Sequence, residues 1–230
     1  MQLEVSIAAR RAARIRTHRS AGRVALRRGA AAAATAAAAR ALPAAAAGGA
    51  AVAVDRVSLG PTISNGKAGK NYALYEDTIN GPRGSRKVVN IAFEYPRLWS
   101  SLKNSVDLID GKTGTVATVV AAPLPDAAAL DSKAFYACIF SPDGKIQRAG
   151  TPVDEFKILG VRDGAGGARE VDIKFTAVSP NSRLIDRRAV ATATAVGDTA
   201  YIFVVSAAAV KWKEERDTVE TVARTFKASF

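Results

Sequence analysis

The chain holds one histidine, His18, and one cysteine, Cys138, among 230 residues. A body without histidine cannot assemble a Ser-His-Asp triad or a Cys-His dyad, and it lacks the commonest zinc ligand. Cys138 can form no internal disulfide. Its setting, Phe135-Tyr136-Ala137-Cys138-Ile139-Phe140, predicts a buried, inert thiol. Gly111-Lys112-Thr113 imitates the end of a phosphate-binding loop, but the first glycine of that motif would fall at Val106, and the lysine sits in a hairpin rather than at a helix start, so a nucleotide site is rejected. Asp107 and Asp110, with Asp131 or Asp198, could offer oxygen ligands to calcium, although they lack EF-hand spacing and surface turns are the commoner setting for such carboxylates. With no carboxylate pair at a telling spacing, the expectation is a protein that is not an enzyme. The remaining chemistry is charge. Arg83, Arg86 and Lys87, with Lys67 and Lys70 upstream, form either a solvated loop or a salt-sensitive patch for docking on an acidic complex.

The elements that must position these groups centre on Val88–Trp99. Ile91, Phe93 and Tyr95 alternate with Ala92 and Glu94, which predicts a strand with one apolar face. Pro96 has no N–H to donate and ends the ladder, and Trp99 is placed to fold back over the strand end. A first strand is expected over 72–78, then a turn at Asn80-Gly81-Pro82-Arg83-Gly84. Strands at 106–109 and 115–121 flank Asp110-Gly111. Asp126 can cap a helix running to about Phe140, with Leu130, Ala134, Phe135, Cys138 and Ile139 at helical spacing. Strands at 156–161 and 171–177 follow, then a long pair, 187–196 and 199–207, joined by Gly197-Asp198. Trp212 opens a closing helix whose apolar stripe is Trp212, Val219, Val222 and Phe226. This order predicts an α+β fold, one mostly antiparallel central sheet with helices packed on it.

Charge is distributed unevenly. Residues 1–50 hold nine of the 33 basic side chains against one acid, Glu4, so they carry +8 of the net +12. Their Arg- and Ala-rich, acid-poor start has the composition of an organelle transit peptide. Arg27-Arg28, the uncharged run Gly29–Ala39 and Ala45–Ala47 then read as a twin-arginine signal with a small-residue cleavage zone. The expected division is a removed bipartite targeting peptide over 1–50, a flexible Gly-rich arm over 51–71 and a folded domain over 72–230. The product would lie in the chloroplast thylakoid lumen, or in the stroma or a mitochondrion if residues 1–50 are one long transit peptide, with no membrane span, because the apolar run falls short of the ~20 residues a span needs.

Over roughly 72–230 the sequence resembles the PsbP family of thylakoid lumen proteins. The matching features are Tyr75-Glu76-Asp77, Phe93-x-Tyr95-Pro96-x-x-Trp99, Val106-x-Leu108-x-Asp110, Arg187-Arg188-Ala189 leading to Tyr201, and a closing helix from Trp212 to Ser229-Phe230. The resemblance implies an α-β-α sandwich without catalytic residues. It implies binding at the lumenal face of photosystem II, as an extrinsic subunit of the oxygen-evolving complex or a photosystem assembly factor, with calcium as the ion to consider. No nucleic-acid partner is expected, since the high pI belongs mostly to the leader. A different reading is a small-ligand or pigment carrier, which would need a cavity lined by Tyr95, Trp99, Tyr201 and Trp212.

Overall fold

The computed structural model describes residues 52–53, 60–81, 87–101, 106–141, 153–179 and 181–230, all within the compact unit Ala46–Phe230. Its strands are β1 (Val52–Ala53), β2 (Thr62–Asn65), β3 (Tyr72–Asn80), β4 (Val88–Pro96), β5 (Ser100–Ser101), β6 (Leu108–Ile109), β7 (Val116–Pro123), β8 (Val153–Asp163), β9 (Arg169–Val178), β10 (Leu184–Val196), β11 (Thr199–Ala208) and β12 (Lys227–Ser229). The helices are α1 (Lys133–Phe140) and α2 (Trp212–Arg224), with short 3-10 turns at Ala127–Asp131, Ala165–Gly167 and Ala209–Lys211.

The fold is α+β, and every strand pairing is antiparallel. The expected central sheet runs β5-β6-β7-β11-β10-β9-β8, with β1 added beside β7. The first predicted strands do not join it. They build a second sheet, ordered β12-β4-β3-β2. The physical reason lies in the alternation. Tyr75 and Ile79 on β3, with Val89, Ile91, Phe93 and Tyr95 on β4, make one apolar face. That face packs on the apolar face of the large sheet formed by Val119, Val190, Tyr201, Phe203 and Val205, so two half-apolar sheets bury each other.

Helix α2 closes the same core with Val219, Val222 and Ala223. A second core lies on the opposite face of the large sheet. There Leu130, Tyr136, Ile139 and Phe140 cover Val171, Ile173, Ile202 and a floor of small residues, Ala189, Ala191 and Ala193. Alanines on this floor let the short helix approach closely.

Local chemistry shifts several expected boundaries. Asp126 does cap a turn, accepting from the Ala129 amide at 2.8 Å, but the turn is 3-10 and ends at Ser132, whose extended backbone breaks the run. The Ser132 hydroxyl then caps α1 by accepting from the Ala134 amide at 3.2 Å. This break changes the helical phase, so Tyr136, Ile139 and Phe140 are buried while Ala134 and Cys138 are exposed, and the expected inert, buried thiol is corrected. The closing helix stops at Arg224 rather than reaching the last residues, and Lys227–Ser229 instead pair with Asn90–Ala92 on β4. The segment read as an arm carries β2, paired from Thr62 opposite Glu76 to Asn65 opposite Ala73. The Gly197-Asp198 turn is as expected, with Val196 opposite Thr199 and Gly197 at φ +65°, a conformation glycine adopts without penalty.

Candidate docking surface and core seam

The hairpin geometry separates the cations grouped by the sequence. Lys67 and Lys70 lie in the β2–β3 turn, which closes through the Gly66 amide on the Tyr72 carbonyl at 3.2 Å and the Tyr72 amide on the Gly69 carbonyl at 3.0 Å. A Cβ at Gly66 would stand 3.1 Å from the Tyr72 carbonyl carbon, so a glycine fits where the chain crosses itself. Lys87 lies beyond the other end of the same sheet, since Tyr72 pairs with Pro96 and Asn80 with Val88. At ~3.3 Å per residue, the length of β3 puts the two groups roughly 26 Å apart. Lys87 Nζ sits 4.8 Å from the centroid of the Phe230 ring. Arg83 and Arg86 lie outside the described residues.

The residues named for structure do come together. Phe93 stacks on Tyr75 at 4.7 Å and on Phe203 at 4.4 Å, and Phe203 stacks on Phe226 at 5.1 Å. Tyr95 meets both Tyr75 and Phe93 edge-on at 6.3 Å. Pro96 ends β4, and its carbonyl accepts from the Trp99 amide at 3.0 Å, which turns the buried Trp99 back into the core. Tyr201 is fully buried in this cluster, and its hydroxyl has no hydrogen-bond partner. Burial, and next the charge of Asp198, raise the Tyr201 pKa; burial likewise raises that of Tyr95 against the lowering effect of Arg97. Trp212 packs at the rim, half-buried, with the Arg188 guanidinium 5.3 Å from its ring centroid. Stacked rings occupy the seam that a ligand carrier would keep open.

The acids weighed as calcium ligands have separate partners. Asp107 accepts from the Thr118 hydroxyl at 2.5 Å, and Asp198 accepts from the Thr199 hydroxyl at 3.2 Å. Asp131 pairs with Arg169, whose hydrogen bond lowers its pKa. Asp110 accepts from the Lys112 amide and the Thr113 hydroxyl, both at 2.8 Å; burial pushes its pKa up, but these bonds outweigh that and leave it lowered. Among the described residues no three His, Cys, Asp or Glu side chains group as metal ligands. Lys112 stands in the β6–β7 turn, as expected for a hairpin.

Two features of the structure escaped the sequence reading. Glu170, 7 % exposed, accepts from Arg162 at 2.9 Å and from Arg224 at 3.1 Å, which ties the end of α2 to strands β8 and β9. Its partners lie 8 and 54 positions away, so no local pattern signals it. The second is a groove of about 470 Å³ on the outer face of the small sheet, lined by Thr62, Glu76, Asn90, Ala92, Lys227 and Ser229 among others. It appears only once β12 returns to β4.

The sequence matches no protein-family model, and no curated protein matches it. Solved structures do show similarity. One is LpqN, involved in cell envelope biogenesis of Mycobacterium tuberculosis, at 12 % identity and TM-score 0.40, covering 67 % of this chain and 91 % of that one. Another is the solution structure of cyanobacterial PsbP from Synechocystis sp. PCC 6803, at 15 % identity and TM-score 0.38, covering 74 % of this chain and 98 % of that one. With both TM-scores below 0.5, these similarities assign neither a family nor a function. Among the described residues no helix is long and apolar enough to cross a membrane.

Proposed function

We propose that this chain is a non-catalytic, PsbP-like protein of the chloroplast thylakoid lumen. In this reading it binds the lumenal face of photosystem II, as an extrinsic subunit of the oxygen-evolving complex or as an assembly or stability factor. One observation carries the reading: the scattered residues of the sequence resemblance, Phe93, Tyr95, Trp99, Tyr201 and Trp212, converge on a single core. The Arg- and Ala-rich leader supports the compartment. Any support for calcium retention would be indirect, through docking, since Asp107, Asp110, Asp131 and Asp198 each have their own partner in the fold.

Native fractionation of solubilised thylakoids, with detection of this protein beside each complex, tests the proposal. Co-migration with photosystem II or its assembly intermediates is the expected result. Co-migration with photosystem I would reassign the protein to that complex. A protein found only free, or outside the thylakoid, would overturn the reading.

A further inference from the structure

One end of the large sheet carries exposed aliphatic side chains. Leu184 and Ile185, which open β10, are 64 % and 37 % exposed, and Val210 in the 3-10 turn after β11 is 89 % exposed. They belong together, because Arg187 pairs with Ala208 and the start of β10 touches the turn that holds Val210. The β9–β10 hairpin presents Leu184 on a braced frame: the Ser179 amide donates to the Arg183 carbonyl at 2.8 Å, the Ser182 amide to the Ser179 carbonyl at 2.8 Å, and the Arg183 amide to the Ser179 hydroxyl at 3.0 Å. Trp212 stands at the rim with Arg188 across its ring.

The charges around these residues leave a modest cationic excess, with Arg183, Arg187, Arg188, Lys211 and Lys213 set against Asp186, Glu214 and Glu215, whose carboxylates keep their charge when the donor is a neutral hydroxyl. Asp186 accepts from the Thr176 hydroxyl at 2.8 Å, Glu214 pairs with Lys211 at 3.2 Å, and Glu215 accepts from the Thr115 hydroxyl at 3.3 Å. Among the described residues, Arg183, Arg188 and Lys213 have no carboxylate partner. Arg187 is half-buried behind them and donates only to the Gly114 and Ser206 carbonyls and the Ser206 hydroxyl. Asp186 and Glu214 are the exposed acids within this surface, and Asp154 and Glu155 are exposed farther off, on strand β8, two strands from Arg188.

Protruding aliphatics, a rim tryptophan and cations without carboxylates match a lipid interface, where apolar tips enter the acyl boundary and cations meet headgroups. A protein partner would have to offer pockets fitted to side chains that project this far, whereas a fluid bilayer accepts them at any spacing. We propose that this end of the sheet docks the protein on a bilayer surface bearing anionic headgroups, with Leu184, Ile185 and Val210 inserted and Arg183, Arg188 and Lys213 at the headgroups. The proposal does not rest on photosystem binding, and pure lipid tests it.

The test uses the full chain and phosphatidylcholine–phosphatidylglycerol vesicles with brominated acyl chains, which quench tryptophan on contact. Residues 1–50 contain no tryptophan, so their attraction to anionic lipid can bring the chain to the vesicle while the quenching reports the contact made by Trp212 itself. The Trp212 emission is isolated in W99F, or, should that variant fold poorly, as the difference between the native chain and W212F. Trp212 is expected to be quenched, and L184E/V210E to abolish the quenching while the thermal midpoint is kept and the chain still sediments with vesicles. R183Q/K213Q is expected to shift the balance from quenched to unquenched Trp212 on vesicle-bound chain by roughly fivefold for each charge removed. Emission from Trp212 that ignores the brominated chains, or quenching that survives L184E/V210E, overturns the proposal. So does loss of a protein partner in those variants with no lipid quenching, which would assign the surface to that partner.

Discussion

Phe93 and Tyr201 show how differently two buried aromatics can contribute. Phe93 lies between Tyr75 and Phe203 and links the sheets, so Phe93→Ala leaves a hole bounded by two stacked rings that belong to different layers. A loss of about 3–5 kcal/mol is expected, read from the urea midpoint at constant slope. Tyr201 is fully buried, but its hydroxyl has no partner, and that polar atom opposes burial. Tyr201→Phe is expected to leave stability unchanged or raise it by up to about 1 kcal/mol. A loss above that range would reveal a hydrogen bond to a buried water. The alternation around Phe93 displays its strand and its inward face directly. The orphaned hydroxyl has no such signature, because satisfaction of a buried group depends on neighbours the chain brings from elsewhere.

At the scale of elements, helix α2 is held by apolar contacts and by a chain of charges. Arg216 pairs with Glu220 at 2.7 Å, Glu220 with Arg224 at 3.1 Å, Arg224 with Glu170 at 3.1 Å, and Glu170 with Arg162 at 2.9 Å. Glu170→Ala is expected to cost roughly 1–2 kcal/mol, between exposed and buried pairs, because the arginines left behind can rehydrate. The hydrogen bond from Arg216, with the charges of Arg216 and Arg224, holds the Glu220 pKa below its ordinary 4.5. A carboxylate with a depressed folded pKa contributes stability above its unfolded pKa and loses it as pH falls through the folded value. Acid titration of the thermal midpoint should therefore fall less steeply below pH 4.5 in Glu220→Gln than in the native chain. Identical slopes would show that the contact is not formed in solution. The amphipathic stripe of α2 is plain in the sequence, and so are the long β10–β11 pair and its glycine turn. Which strands share a sheet is not, since β3 and β4 have the same alternation whether they extend the large sheet or face it. The end of the chain misled for a related reason. Val222 and Phe226 stand at helical spacing, but Phe226 packs on Phe203 from beyond the helix end.

For the whole molecule, electrostatics has a geometry that composition hides. The net charge of +12 divides into +8 on residues 1–50 and +4 on the remainder, so the body alone should attract acidic surfaces weakly. Within the body, Lys67 and Lys70 are separated from Lys87 by the length of β3. That separation, roughly 26 Å from strand rise, exceeds the ~10 Å Debye length at 0.1 M salt, so the two groups act as independent charges. If they steer docking on photosystem membranes, the effects of K67Q/K70Q and K87Q on the association rate should add within about 0.5 kcal/mol. The measurement is a double-mutant cycle on rebinding to salt-washed thylakoids, repeated at rising salt. Coupling well above that limit would mean that both groups serve a single contact and act as one patch. Rates unchanged in all three variants would remove these lysines from docking altogether. The same lysines at opposite ends of one rigid sheet also fix what a partner must look like. A surface that engages both must span the full strand length with acidic groups at its two ends, whereas a compact acidic spot can engage only one.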